Sequence, residues 1–285
     1  MTDPIVVGVD GSGRSLRALV WAAHEAVLHR CALRIIHVLP REHVHESTPG
    51  DRVREASRRD QGVVAEATAI VREAHPDLEV MTALPTGSPA AVLLAESEHA
   101  HTVVLGAKGL GGFASLLLGS VALQVVGHAA SPVVVVNHLT TGHHRIVVGA
   151  DGSAHSQAAL VYAFQQASLR GARLQAVHAW SYPGPEAAVS PVQDAAAEEH
   201  RQSLEEWLRP LREAHPDVEV VEELAHEAPI PALARASDRA DLMVVGSRGR
   251  GGFRGLALGS VSQALLQFSQ CPLAVIRPRL QLTPD

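Results

Sequence analysis

The sequence repeats itself at about half of its length, and this repetition restricts the folds that the chain can adopt. The segment Ile5–Ser12 reads IVVGVDGS, and Ile146–Ser153 reads IVVGADGS. A second pair of segments, Gly106–Ser120 and Gly246–Ser260, shares the glycine spacing G-x2-G-x9-G-S. A repeat of this length is far longer than the units of solenoid proteins, so it indicates a duplicated domain. We therefore expect two domains of ordinary size in the 285-residue chain.

The expected plan is a first domain, a linker, a second domain and a short tail, at residues 1–138, 139–144, 145–279 and 280–285. Composition agrees with two hydrophobic cores, because 46% of the residues are apolar and 19% are charged. The net charge of −6 and the lack of a long basic run argue against nucleic-acid binding. Without a membrane-length apolar stretch or a signal-peptide pattern, we expect no membrane association and a cytoplasmic location. Cys31 and Cys271 occupy different places in the two repeats, which favours free thiols.

Apolar runs and helical patterns alternate along each half of the chain. In the first half, strands are predicted at Ile5–Val9, Leu33–Val38, Leu78–Ala83, Thr102–Leu105 and Val133–Val136. Helices are expected between them, and Ser15 is the expected N-cap of the first helix. The predicted buried face of that helix consists of Leu16, Leu19, Val20, Ala23 and Val27. This alternation predicts two tandem, open, doubly wound α/β domains of Rossmann-like type, with five parallel strands each.

The glycine segments are candidate phosphate-binding loops, because each follows a predicted strand and precedes a predicted helix. Gly106 and Gly109 would let backbone N–H groups approach an anion, and Gly119 and Ser120 would begin a helix with free N–H groups. Lys108, the chain's one lysine, lies inside the first segment. The segments match neither the P-loop pattern nor G-x-G-x-x-G. The alternative is that these glycines only turn the chain after the fourth strand.

Several motifs together resemble the universal stress proteins of the ATP-binding type. These are the VGVDGS opening, the strand ending at His37-Val38, the glycine segments and the Ser131–Val136 ending. The resemblance implies one ATP site in each half, with Mg²⁺ as an optional companion ion. It places phosphates on the glycine segments, an aspartate beside the nucleotide, and adenine on the backbone after the second strand. The implied residues are Asp10, Val38, Gly106, Gly109, Gly119 and Ser120 in the first site, and Asp151, Ala179, Gly246, Gly249, Gly259 and Ser260 in the second.

The same resemblance implies a nucleotide-dependent regulator of the stress response with little or slow ATP hydrolysis. The alternative is a slow ATPase or a nucleotidyl-transfer enzyme of the adenine-nucleotide α-hydrolase-like group, for which no catalytic residue can be named. A nucleotide-free scaffold is a third reading. The family's fifth-strand contact implies that the strands at Val133 and Leu273 pair within the chain, which would relate the domains by pseudo-twofold symmetry. A homodimer, further self-association and a regulatory protein partner are expected beyond that.

The two repeats differ at positions that bear on the sites. Gly87 of the first repeat aligns with Glu227 of the second, and a carboxylate there would repel phosphate or crowd adenine. Pro231 replaces Ala91, whereas Ser247 makes the second segment more regular than Ala107 makes the first. On balance the first site is expected to bind slightly more tightly. The closest histidine pairs do not recur between the repeats, and no metal site is predicted. His37 and His178 do recur, each at the end of the second strand of its repeat, and are expected to be buried or helix-covered rather than catalytic. The alternative is a contact to the nucleotide.

Overall fold

The computed structural model describes residues 2–39, 51–109, 118–181, 191–251 and 257–278. For residues 51–57 and 191–193 it describes the backbone alone. The chain divides into two compact units, Met1–Leu139 and Thr140–Asp285. The elements of the first unit are β1 (Ile5–Gly8), α1 (Gly13–His29), β2 (Leu33–Ile36), α2 (Asp51–Ala74), β3 (Val80–Ala83), α3 (Pro89–Glu96), β4 (Thr102–Gly106), α4 (Ser120–His128) and β5 (Val133–Val136).

The second unit repeats this order of elements within its described residues. They are β6 (Arg145–Gly149), α5 (Ala154–Arg170), β7 (Arg173–Ala179), α6 (Pro191–Ala214), β8 (Val220–Ala225), α7 (Pro229–Ser237), β9 (Leu242–Gly246), α8 (Ser260–Phe268) and β10 (Leu273–Ile276). The strand order is β3-β2-β1-β4-β5 in the first unit and β8-β7-β6-β9-β10 in the second. All of these pairings are parallel, which confirms the predicted fold class.

The central strands are apolar along their whole length because helices cover both faces of a parallel sheet. The residues of β5 are at most 2% exposed, and Ile5, Val6 and Val7 of β1 are fully buried. β3 is only half-buried, as its place at the edge of the sheet requires. β2 and β3 lie on one side of β1, whereas β4 and β5 lie on its other side. The strand order therefore changes direction between β1 and β4. That switch point is where ligands bind in sheets of this type.

The first helix differs from its sequence prediction in two respects. Its N-cap is Ser12, whose hydroxyl accepts a hydrogen bond from the Ser15 N–H at 3.1 Å, whereas Ser15 itself lies buried within the helix. The buried face is also rotated relative to the prediction, because Val20 and Val27 are 48% and 43% exposed. The face that is buried includes Ala18, Leu19, Ala22, Ala23 and Ala26. Small alanine side chains let α1 lie close to the sheet, which the predicted valines would not allow.

Candidate functional site

Each unit has a cavity at the carboxyl ends of its strands, beside the switch point of the sheet. The cavity of the first unit has a volume of about 280 Å³, and that of the second about 400 Å³. The first is lined by all six residues predicted for it, Asp10, Val38, Gly106, Gly109, Gly119 and Ser120. The second is lined by Asp151, Ala179, Gly246, Gly249, Gly259 and Ser260. Residues up to 110 positions apart in sequence therefore meet at one surface in each unit.

An aspartate and the second glycine of the segment fit directly against each other in both units. A Cβ added to Gly109 would lie 2.2 Å from Asp10 Oδ2, and one added to Gly249 would lie 2.4 Å from Asp151 Oδ2. The other oxygen of Asp10 accepts a hydrogen bond from the Ser12 N–H at 3.0 Å. The carboxylate is thus fixed on one side and occupies the space of a side chain on the other. Glycine is needed here because it makes room for the aspartate.

The first glycine of each segment has a different structural role. A Cβ on Gly106 would lie 2.8 Å from the carbonyl carbon of Arg14, and one on Gly246 would lie 2.7 Å from that of His155. Real Cβ atoms do not approach backbone so closely, so these glycines allow the ends of β4 and β9 to touch the first turns of α1 and α5. The residue type at these two positions is explained by packing, although both glycines also line the cavities.

The last glycine of each segment begins a helix whose amino end faces the cavity. Gly119 is the N-cap of α4, and no side chain caps that helix. The Gly119 N–H donates to the carbonyl oxygen of Ala107 at 2.8 Å, which closes the segment into a loop. Ser120, Val121 and Ala122 of the first turn line the cavity. First-turn N–H groups have no partner within a helix and lie at the positive end of its dipole, so they can bind an anion.

The described ends of the loop in the second unit have the same hydrogen bond and the same N-cap. The Gly259 N–H donates to the carbonyl oxygen of Ser247 at 2.8 Å, and Gly259 is the N-cap of α8 without a capping side chain. Ser260, Val261 and Ser262 line the cavity in the same way. The arrangement is therefore a property of the repeated sequence pattern.

Apolar residues also line each cavity. In the first unit these include Val38, which follows β2, and Pro89 and Leu93 of α3. In the second unit the corresponding residues Ala179, Pro229 and Leu233 line the cavity. Each cavity therefore combines apolar side chains with the N–H groups of a helix N-terminus, and a nucleotide likewise combines an apolar base with anionic phosphates.

The comparison with known proteins decides the family. The sequence profile of the universal stress protein family matches residues 1–137 and again residues 142–277. The chain belongs to the universal stress protein family. It is 36% identical over 291 residues to a universal stress protein of Mycolicibacterium smegmatis, with 96% of this chain and 97% of that relative covered. A universal stress protein of Mycobacterium tuberculosis is 37% identical over 286 residues, with 96% of both chains covered.

Solved structures of the family share the architecture of the whole chain. A universal stress protein from Archaeoglobus fulgidus superposes with a TM-score of 0.71, covers 96% of each chain and is 22% identical. At that identity the similarity establishes the fold. Both predicted domains therefore belong to one tandem universal stress protein architecture.

The recurring histidines are buried, as the sequence predicted for this universal stress protein. His37 is 7% exposed and His178 is 4% exposed. Nδ1 of each lies within hydrogen-bond distance of a backbone carbonyl, 2.8 Å from Val9 O for His37 and 2.7 Å from Ala150 O for His178. Burial lowers the pKa of His178 below its ordinary value of 6.5. These side chains support the turns that carry Asp10 and Asp151.

The other ring nitrogen of each histidine contacts a residue that sequence reasoning missed. Nε2 of His37 is 3.0 Å from Asp60 Oδ1 on α2, and Nε2 of His178 is 2.9 Å from His200 Nδ1 on α6. Asp60 and His200 are equivalent in the repeat, so the first unit has a histidine–carboxylate pair where the second has two imidazoles. Both partners lie on a helix more than 20 residues from the histidine, which is why no local motif indicates them.

Glu227, which aligns with Gly87 of the first repeat, is paired with an arginine. Its carboxylate is hydrogen-bonded to the guanidinium of Arg235, which also contacts Glu223 at 3.1 Å. Glu227 is absent from the described lining of the second cavity, which is the larger of the two. Tighter binding at the first site stays a prediction, with the charge of Glu227 paired to that of Arg235.

Two further observations concern metals and membranes. In the ranges that the structure describes, no group of three or more histidine, cysteine, aspartate or glutamate side chains is placed to hold a metal ion. No helix among the same residues combines the length and apolar character needed to cross a membrane. Cys31 and Cys271 are both free and buried.

Proposed function

We propose that this universal stress protein binds an adenine nucleotide, with ATP as the expected ligand, in each of its two units. Occupancy would regulate the stress response through conformation or partner affinity, with little or slow hydrolysis. The observation that supports this most strongly is that all twelve residues implied by the family resemblance line the two cavities at the switch points of the sheets. A set of glycines that only turned the chain would not need to share a cavity with Asp10, Val38 and their counterparts.

The chemistry of the lining fits the parts of a nucleotide. The N-termini of α4 and α8 offer N–H groups to phosphates, and Lys108 and Arg248 line the same regions. The apolar residues beside Val38 and Ala179 fit a planar base, which the adjacent backbone can recognise through its own N–H and C=O groups. Asp10 and Asp151 would lie beside the nucleotide, where a carboxylate can accept a hydrogen bond from a ribose hydroxyl or ligate Mg²⁺.

The surroundings of the aspartates favour binding over turnover. Oδ1 of Asp151 accepts the Ser153 N–H at 2.9 Å, and Oδ2 accepts the Arg250 N–H at 3.1 Å. A carboxylate held by backbone donors on both oxygens orders its loop and keeps lone pairs for a ribose hydroxyl or Mg²⁺, whereas no residue can be named as the base or nucleophile of a reaction. We therefore place the ATPase or nucleotidyl-transfer alternative second.

The test is an equilibrium titration of ATP against the full chain at known protein concentration. Two sites per chain are expected in the wild type, and one in Gly109→Val or in Gly249→Val, because each valine displaces the aspartate of its own unit. Gly13→Ala is the matched control, since a Cβ there meets nothing within 4 Å. Absence of ATP binding in a folded wild-type chain would refute the proposal.

The remaining parts of the proposal concern assembly and location. We propose a cytoplasmic homodimer or higher self-association and an unidentified regulatory protein partner. Sedimentation with and without ATP tests the assembly, and a change in mass with nucleotide would link it to occupancy.

A further inference from the structure

The second cavity has more positive charge along its lining than the first. Arg248 and Arg250 both line the second cavity, whereas Lys108 is the one lysine or arginine in the described lining of the first. In sequence, Lys108 aligns with Arg248, and Leu110 aligns with Arg250. The additional cation of the second unit is therefore Arg250.

The side chain of Arg250 is held in position by the elements around it. Its guanidinium carbon lies 5.3 Å from the centre of the Trp207 ring, a cation–π contact with α6. Nη2 of Arg250 also fills the space that a side chain at Gly152 would occupy, since a Cβ added there would lie 2.4 Å from Nη2. Gly152 has φ +77°, a conformation that favours glycine. In the described part of the unit the guanidinium has no ion-pair partner. The first repeat has Ala67 in place of Trp207, so this support belongs to the second unit alone.

Arg250 lies between two openings on the surface of the unit. It lines the main cavity together with Gly249 and Gly259, and it lines an adjoining cleft on α6 together with His200 and Trp207. A guanidinium at this border can reach the end of a phosphate chain that extends out of the main cavity. It has five N–H donors in a planar fork, and phosphate oxygens are the acceptors that this fork matches best.

Arg277 is a further cation close to Arg248 in the second unit. Arg277 follows β10, and both burial and the nearby Arg248 lower its pKa. Burial, Arg248 and Arg277 together lower the pKa of His155, with Asp151 opposing them. The first repeat has Asn137 in place of Arg277. The cationic groups of the second unit thus disfavour one another, and an anion bound among them would relieve that repulsion.

We propose that the second site selects nucleotides by the length and charge of their phosphate chain, and that Arg250 is the residue that determines this selectivity. The second site would bind a nucleoside triphosphate in strong preference to the monophosphate, while the first site would discriminate much less. The proposal rests on the proposed function, because it assigns the preferred ligand of a site already taken to bind nucleotides.

The experiment compares ATP with AMP at the second site in the Gly109→Val chain, whose first site is disabled. Arg250→Leu introduces the residue type of the first repeat, and it is expected to weaken ATP binding about 10- to 100-fold and AMP binding less than about threefold. Arg250→Lys should recover part of the loss, since it keeps the charge but not the fork. Arg239→Leu removes an exposed arginine of the same unit and should leave both affinities unchanged.

The outcomes separate this inference from the proposed function. Equal weakening of ATP and AMP by Arg250→Leu, or no weakening of either, would overturn the selectivity while leaving nucleotide binding intact. Equal ATP-to-AMP ratios at the two sites, measured in the Gly109→Val and Gly249→Val chains, would also overturn it. Failure of the wild type to bind either nucleotide would instead refute the proposed function.

Discussion

The contact between Gly109 and Asp10 gives a prediction whose size follows from the structure. In Gly109→Ala the new Cβ would begin 2.2 Å from Asp10 Oδ2, and ordinary contact starts near 3.4 Å. The carboxylate must therefore move by about 1 Å. A movement of that size breaks the 3.0 Å hydrogen bond from the Ser12 N–H to Oδ1. A hydrogen bond to a charged group contributes about 1.5–3 kcal/mol, and we expect the lower end because Asp10 is only half-buried.

Chemical denaturation of the variants measures this cost. Gly109→Ala should lower the free energy of unfolding by about 1.5 kcal/mol, and Gly13→Ala should change it by less than about 0.5 kcal/mol. The decisive arm is the double variant with Asp10→Ala. If the alanine at 109 acts through the carboxylate, it should cost about 1 kcal/mol less once that carboxylate is gone. Strict additivity of the two substitutions would refute the proposed contact.

Three further predictions follow from other parts of the structure. Arg30 ends α1 with φ 51°, and the second repeat has Gly171 at φ 57° in the same place. In chemical denaturation, Arg30→Gly should therefore stabilise the protein by about 0.5–1 kcal/mol, and Gly171→Ala should destabilise it by about 1 kcal/mol. Changes of the opposite sign would contradict this prediction. Burial holds the pKa of His178 below 6.5, so as the pH falls the unfolded state takes up this proton before the folded state does. The free energy of unfolding should therefore decrease as the pH drops below about 6.5. His178→Phe should make this decrease smaller. Burial raises the pKa of Cys271 to about 12 and also raises the pKa of Cys31. At pH 8 both thiols should therefore react far more slowly with a disulfide reagent in the native protein than in denaturant. Equal reaction rates would show that the thiols are not buried.

Features set by local sequence were predictable. A short β-branched run such as that in Ile5–Gly8 favours a strand covered on both faces, and its repetition as β6 extends the prediction to the second unit. The glycine spacing predicted which residues meet at the carboxyl ends, because strands of one parallel sheet end on the same side. The ends of elements were less predictable, and β3 begins at Val80 rather than Leu78.

Features that depend on contacts between distant segments were not predictable. The pairing of His37 with Asp60 and the position of Arg250 over Trp207 both join a loop or strand end to a long helix, and no local spacing encodes them. The pairing of Glu227 with Arg235 spans only 8 positions, but it depends on how α7 leaves its preceding turn. The sequence pattern and its duplication indicate where each site lies. The positions of the charged side chains that distinguish the two sites depend on tertiary structure.

The central claim is that both cavities hold an adenine nucleotide, and the most direct test uses protein purified without added ligand. The protein is denatured, and the released small molecules are identified by mass. Separate samples of the wild type, Gly109→Val and Gly249→Val are then saturated with ATP, and the amount of nucleotide released per chain is compared. The account predicts an adenine nucleotide, two equivalents per saturated wild-type chain and one in each variant. Release of no adenine nucleotide, together with no uptake of ATP at millimolar concentration by the folded chain, would contradict it.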